Sequence, residues 1–494
     1  MTIQQAPNIP SAPAFYSDLC QARARRFILI AAILASSMGF IDGSVVAIAL
    51  PAMRASLGAT LEQAQWFSNA YMLTLSALIL VGGALGDRFG LVRIFSIGIC
   101  FFVLASLACA VAPTSETLII ARCLKGIGAA FMIPGSLALI SRTYPKEERG
   151  RAIGIWAAAS ALTTALGPII GGVALTLGGD EMWRWIFAVN LPFGALALWL
   201  LWRHVQSDPV AGPRGIDLSG ALLATAGLGL VAYALTATNG PTMIYGAAGA
   251  ACLVGFILVE LKSPHPMMPL GLFRLPGFAA ANIATLSLYF ALSAMLFFLP
   301  MTLIAGWGVT EIVTSAIFAP LSVFISTLSA VSGRLADRFG AGRMIAFGSL
   351  IVGLGYGLLA ATMADQDVWF RVFPAMMLTG FGMAFVVAPL SAAVMGAVDD
   401  QNSGAASGVN NAISRIAGLL AVAAMGSLAA STYAMAGGLD SFGAASDTAG
   451  HIIAMNAAFA RIAWICTGLC LISALIAFFG IPRPVTADQG IAPQ

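Results

Sequence analysis

Asp42 carries more chemical potential than any other residue in this sequence. It stands in Phe40-Ile-Asp42-Gly-Ser-Val-Val-Ala-Ile-Ala-Leu-Pro51, inside an apolar run covering 27–51. A run of that length makes a bilayer-crossing helix. Asp42 falls three positions past its middle, about 4–5 Å from the midplane at 1.5 Å per residue. A carboxylate there costs about 2.5–3.5 kcal/mol on insertion scales, so it must face a partner or a wet cavity. A desolvated carboxyl that gains and loses a proton is what proton coupling needs. A packing or capping role beside Ser44 is the structural alternative. Two bases lie at similar depth. Arg122 and Lys125 are three apart on one helix face, about 9 Å and 4–5 Å from the middle of the run 116–140. Lys125 is thus level with Asp42, and an ion pair across a cavity is one arrangement; snorkelling of both bases to the interface is the other. Two bases beside one acid would repel a dication and suit a neutral, zwitterionic or anionic substrate. The other acids near the spans, Glu260 and Glu311, fall at run edges where water reaches them. Arg415, nearly two turns into the run 409–431, either snorkels or acts within the membrane.

Other residues offer weaker chemistry. In Gly167-Pro168-Ile-Ile-Gly171-Gly172 the proline removes a helix hydrogen bond, and the glycines let helices approach and bend. That makes a hinge, a seal or ordinary tight packing. Trp66, Tyr71, Trp156 and Trp185 suit either a pore lining or interfacial anchoring. The cysteines show no metal-ligand spacing, six of them (Cys100, Cys109, Cys123, Cys252, Cys466, Cys470) reading as buried free thiols. His204, His265 and His451 are far apart, so neither a metal nor haem is indicated, and no cofactor is expected. No GxxxxGK[ST] loop exists to bind ATP, and Gly126-x-Gly128 and Gly227-x-Gly229 lie inside apolar runs rather than after strands. No polar segment exceeds about 26 residues, which leaves no room for a catalytic domain. An enzyme is not expected.

The elements that must position these residues are membrane helices. Only 9% of the 494 residues are charged and 59% are apolar, with a mean hydropathy of +0.92. A soluble fold could not cover its surface so, and lipid must cover most of it. A net charge of +3 and no basic run longer than Arg25-Arg26 exclude a nucleic-acid partner. Fourteen spans are predicted: 27–51, 62–84, 93–112, 116–140, 152–177, 184–202, 217–239, 243–261, 277–301, 310–333, 344–364, 368–390, 409–431 and 457–480. The first is too long for a signal-peptide core. With the N-terminus inside, seventeen Lys and Arg fall in inner segments. Only Arg54, Arg184, Arg371 and Arg461 fall in outer ones, so both termini are expected in the cytoplasm.

One loop occurs twice. Gly83-Ala-Leu-Gly-Asp87-Arg88-Phe89-Gly90-Leu-Val-Arg93 is matched by Gly333-Arg-Leu-Ala-Asp337-Arg338-Phe339-Gly340-Ala-Gly-Arg343 at an offset of 250. Gly150-x-Ala152-x-Gly154 and Gly404-x-Ala406-x-Gly408 match at 254. Each copy spans six helices, with an extra pair between them, and repeated halves are typical of secondary transporters. The expected fold is an all-α membrane protein of two six-helix bundles plus a central two-helix insertion. Its segments are an N-terminal tail (1–26), a first bundle (27–202), a linker with two added helices (203–276), a second bundle (277–482) and a C-terminal tail (483–494). The loop residues Asp87, Arg88 and Arg93 fit a cytoplasmic latch or, alternatively, a solvated turn.

The repeated loop resembles the signature of the major facilitator superfamily. The stretch Phe40–Pro51, Arg122-Cys-Leu-Lys125-Gly126-Ile-Gly128 and the Gly167–Gly172 motif resemble those of its fourteen-helix drug:proton antiporters. The resemblance implies a multidrug efflux protein of the cell inner membrane, driven by the proton motive force. It implies proton coupling through Asp42 and Arg122, with Lys125, Trp66 and Tyr71 at the substrate cavity. Gly167, Pro168, Gly171 and Gly172 would form an antiport motif. Gly83, Asp87, Arg88, Gly90, Arg93, Asp337 and Arg338 would form a cytoplasmic gate. The implied partners are a small-molecule substrate, protons and the lipid bilayer, with a periplasmic adaptor and an outer-membrane channel in a two-membrane cell. The sequence departs from the family pattern at Lys125, commonly Gln, and at Leu91 and Val92, commonly basic. The runner-up is an exporter of one endogenous metabolite such as an amino acid, siderophore or lipid.

Overall fold

The computed structural model describes residues 22–205, 217–264, 266–399, 402–446 and 448–482. The expected tails, save 22–26, and part of the expected linker lie outside these residues. The described chain folds into α1 (Arg25–Leu57), α2 (Leu61–Phe89), α3 (Leu91–Ala110), α4 (Ser115–Thr143), α5 (Lys146–Gly178), α6 (Trp183–Ala188), α7 (Asn190–His204), α8 (Leu218–Thr236), α9 (Thr242–Lys262), α10 (Pro276–Met301), α11 (Glu311–Phe339), α12 (Ala341–Thr362), α13 (Phe373–Gly396), α14 (Ser403–Met435) and α15 (Ala449–Gly480). Fourteen helical stretches among them are long and apolar enough to cross a membrane, one for each predicted span. The sixth is α6 and α7 in series. Pro192 cannot donate to the Ala188 carbonyl, and the helix breaks at Val189.

Local sequence sets the ends. Thr60 and Thr114 start α2 and α4 with reciprocal capping boxes to Gln63 and Thr117, each cap contributing about 1 kcal/mol. The duplicated loops contain matched turns. Gly90 and Gly340 adopt φ of 103° and 92°, a region open to glycine without strain. That is the backbone reason for the repeated Asp-Arg-Phe-Gly.

The packing follows the repeat. In the first bundle α4 lies against α1, α2 and α3, and in the second α13 lies against α11 and α12. Small residues set these approaches. A Cβ on Gly126 would sit 2.1 Å from Thr74 Oγ1, and one on Gly380 would sit 2.7 Å from the Pro320 carbonyl oxygen. The inserted hairpin of α8 and α9 leans on α2 of one bundle and α14 of the other. One end of the molecule carries the turns at Gly90, Pro145 and Gly340, which are the Lys- and Arg-rich segments.

Candidate functional site

Asp42, Arg122 and Lys125 converge. Arg122 Nη1 donates to Asp42 Oδ2 and Lys125 Nζ to Oδ1, each at 2.5 Å. Two charge-assisted bonds to one carboxylate are among the stronger pairings a protein makes. All three residues are at most 2% exposed. Arg122 Nε donates to the Phe67 carbonyl oxygen at 2.7 Å, and its guanidinium lies 4.5 Å from the centre of the Tyr71 ring. The Lys125 ammonium sits over Phe102 and Phe187, at 4.7 and 4.5 Å. The aromatic faces supply partial negative charge where water is absent. The cluster has one net positive charge and is built from α1, α2, α3, α4 and α6.

A cavity of about 1490 Å³ lies between the two bundles. Its wall reaches Asp87 and Ser141 at the basic-loop end of α2 and α4, and Met395 and Ser403 at the same end of α13 and α14. Toward the opposite end it stops at Ile48, Pro168, Pro300 and Ser315. Lys125, Trp66 and Tyr71, expected at the substrate cavity, are not among its lining residues. Lys125 turns into the bundle toward Asp42, Tyr71 lies beneath Arg122, and Trp66 Nε1 donates to Thr236 of the inserted hairpin at 3.2 Å. Nor does the ion pair span the cavity. Gly39 and Gly43 of α1 line it, whereas Asp42, Arg122 and Lys125 do not. Trp156 does line the cavity and donates to Ser36 Oγ at 2.8 Å, whereas Trp185 is exposed on the outer surface. Glu260 is buried rather than water-reached and accepts from the Met268 N–H at 3.1 Å. Cys100 is exposed on the bundle surface, not buried.

The cavity's blind end is tied by contacts between the bundles. Ser315 Oγ donates to the Pro168 carbonyl oxygen at 2.7 Å, and Thr176 Oγ1 to Glu311 at 2.9 Å. A Cβ on Gly172 would meet Ser315 Oγ at 2.3 Å, and one on Gly171 would meet Val45 Cγ1 at 2.5 Å. Arg54 is buried at this end and donates to the Phe442 carbonyl oxygen at 2.5 Å and to Ser441 Oγ at 2.8 Å. Sequence reasoning missed Arg54, reading it as an ordinary outer-loop base. At the open end Asp87 bonds Arg142 at 2.7 Å, a partner 55 positions away that only its basic charge could have signalled. Arg88 stacks on Phe89 and Arg338 on Phe339. Asp337 is exposed and forms no ion pair among the described residues; at the two repeat offsets the counterparts of Arg142 are Ala392 and Gly396, neither of them basic.

Two bundles related by a repeat, with a cavity between them, define a fold shared with known transporters. The Major Facilitator Superfamily model matches residues 32–422 and 284–494. The chain belongs to the Major Facilitator Superfamily. It is 32% identical to the methylenomycin A resistance protein of Streptomyces coelicolor, over 80% of this chain and 84% of that one. It is 34% identical to the multidrug resistance protein Stp of Mycobacterium tuberculosis, over 83% and 76%. Among solved structures it is similar in fold to an inward-facing bacterial homolog of the human lysosomal transporter Spinster. That match has a TM-score of 0.67 at 16% identity and covers 93% of this chain and 97% of that one. This is a multi-pass membrane protein of a transporter superfamily, not of an enzyme family.

Proposed function

We propose that this superfamily member is a proton-coupled antiporter that exports small amphipathic or toxic compounds from the cytoplasm by alternating access. The observation that carries the reading is the membrane-buried cluster of Asp42 with Arg122 and Lys125. The names of the two relatives, one a methylenomycin resistance protein and one a multidrug resistance protein, support export as the direction. The excess of Lys and Arg at the open end argues that this end faces the cytoplasm and that both termini lie there. The cavity is then open inward.

Two charge-assisted bonds require a charged carboxylate, so in this inward-open state the proton has left Asp42. We infer that outward opening shifts α1 against α4, weakens both bonds and lets Asp42 take a proton from outside. Return to the inward-open state re-forms the cluster and expels that proton. At roughly 100 mV one entering proton supplies about 2.3 kcal/mol, enough for a near fifty-fold gradient of a neutral compound.

The test is efflux from cells loaded with a fluorescent amphiphile. A protonophore should abolish it, and depletion of ATP with the proton gradient maintained should not. Efflux that continues at full rate without the gradient would overturn the proposal.

A further inference from the structure

Arg415 is the one basic residue among those lining the cavity. The other charged lining residues, Asp87 and Asp217, stand at its open end, where Asp87 is already bonded to Arg142. Arg415 lies deeper, three turns into α14. Among the described residues it makes no ion pair, and its Nε is buried without a hydrogen-bond partner. A guanidinium within the membrane needs an anion or water in front of it. Arg122 and Lys125 have Asp42 for that purpose, and Arg415 has only the cavity.

Its neighbours on the cavity wall are donors as well. Asn411 and Ser414 flank it on α14, and Tyr289 and Ser293 line the facing stretch of α10. The first bundle's part of the wall is largely apolar, with Phe40 and Phe131. Arg415 also breaks the repeat. At the offset that matches Gly150 to Gly404, its counterpart is Ala161, so the shared architecture does not demand a charge here.

We propose that Arg415 is a substrate-binding subsite for the anionic group of an amphipathic organic anion, such as a carboxylate, sulfonate or phenolate, whose apolar body lies on the first bundle's part of the wall. The planar guanidinium suits such oxygens, which can take two parallel bonds from it. The proposal rests on the export reading, since it names the substrate class of the same cavity.

The experiment measures binding, not transport, so that the two readings can fail separately. The full chain in nanodiscs is titrated with anilinonaphthalenesulfonate and with its uncharged relative phenylnaphthylamine. Quenching of Trp156 is isolated by subtracting a W156F control. Arg415→Gln should weaken the sulfonate about tenfold or more and leave phenylnaphthylamine within about twofold, as loss of one charge-assisted contact predicts. Arg415→Lys should retain most sulfonate affinity and show that the bundle is intact. Equal loss for both probes, or an unchanged sulfonate affinity in Arg415→Gln, would overturn the subsite. Arg415-dependent sulfonate binding without any proton-driven efflux would leave the subsite standing and sink the export reading.

Discussion

At the scale of single residues, Asp42 is bonded by two bases and by no other side chain among the described residues, so its replacement has a calculable imbalance. Asp42→Asn leaves Arg122 and Lys125 facing each other in the membrane without a counter-charge, a loss of order 3–5 kcal/mol for a broken buried pair. Gradient-driven efflux should fall to background. Because that variant also strains the bundle, Asp42→Asn combined with Lys125→Gln restores a single net positive charge. The double variant, with one unpaired base instead of two, should fold and insert better than Asp42→Asn while efflux stays absent. Near-normal accumulation against a gradient in either would make Asp42 structural. Lys125→Gln alone removes one of the two bases that bond the carboxylate. The pH of half-maximal transport should rise. Handling of cations should not change, because Lys125 is buried and does not line the cavity. A profile identical to the parent would place the exchanging proton elsewhere. The depth of Asp42 and Lys125 was legible from counting residues along two helices, because hydrocarbon makes a buried charge expensive wherever the helix turns. That they touch was legible only as one of two options.

At the scale of elements, the Gly167–Gly172 stretch shows what a motif can and cannot say before packing is known. Glycine and proline at that spacing permit close approach, and the structure supplies the partners: α1 for Gly167 and Gly171, and α11 for Gly172. A methyl group on Gly172 has no room beside Ser315 Oγ and the Glu311 carbonyl oxygen. Gly172→Ala should therefore cost about 1–3 kcal/mol, the usual penalty of overpacking, and should cost it only where α5 and α11 are closed together. Amide exchange at the outer ends of those two helices should accelerate, with the helices themselves intact. No change in exchange would mean the contact yields without opening. The helix rotations behind these contacts were not legible. Lipid-facing and core-facing positions are equally apolar in a membrane bundle, so the hydrophobic pattern that orients a helix in water says nothing here.

At the scale of the whole molecule, the two bundles divide the work unequally. The charged cluster belongs to the first bundle, and Arg415 to the second. The cavity between them is closed at one end by Arg54, Ser315, Thr176 and Gly172. Arg54 crosses from α1 to the segment between α14 and α15, so its contacts exist only while that end is shut. Arg54→Ala leaves a buried carbonyl oxygen unbonded, at about 1–3 kcal/mol. The population should shift toward opening at that end by roughly tenfold or more. Spin-label distances between the outer ends of α1 and α15 should lengthen accordingly. An unaltered distance distribution would reduce Arg54 to a helix-end anchor.

The amino-acid sequence alone determined the number of spans, the excess of basic residues at one set of loops, the duplicated halves and the depth of each charge. All of these follow from the free energy of moving single residues between water and hydrocarbon, which is a one-dimensional accounting along the chain. Tertiary structure decided which way each helix face turns. It put Lys125 and Tyr71 inside a bundle rather than in the cavity, paired Asp87 with Arg142 and Arg54 with Phe442 across long stretches of chain, and left Arg415 facing open space. Those outcomes depend on side-chain volume and close contact between helices, for which an apolar sequence in an apolar solvent carries almost no signal.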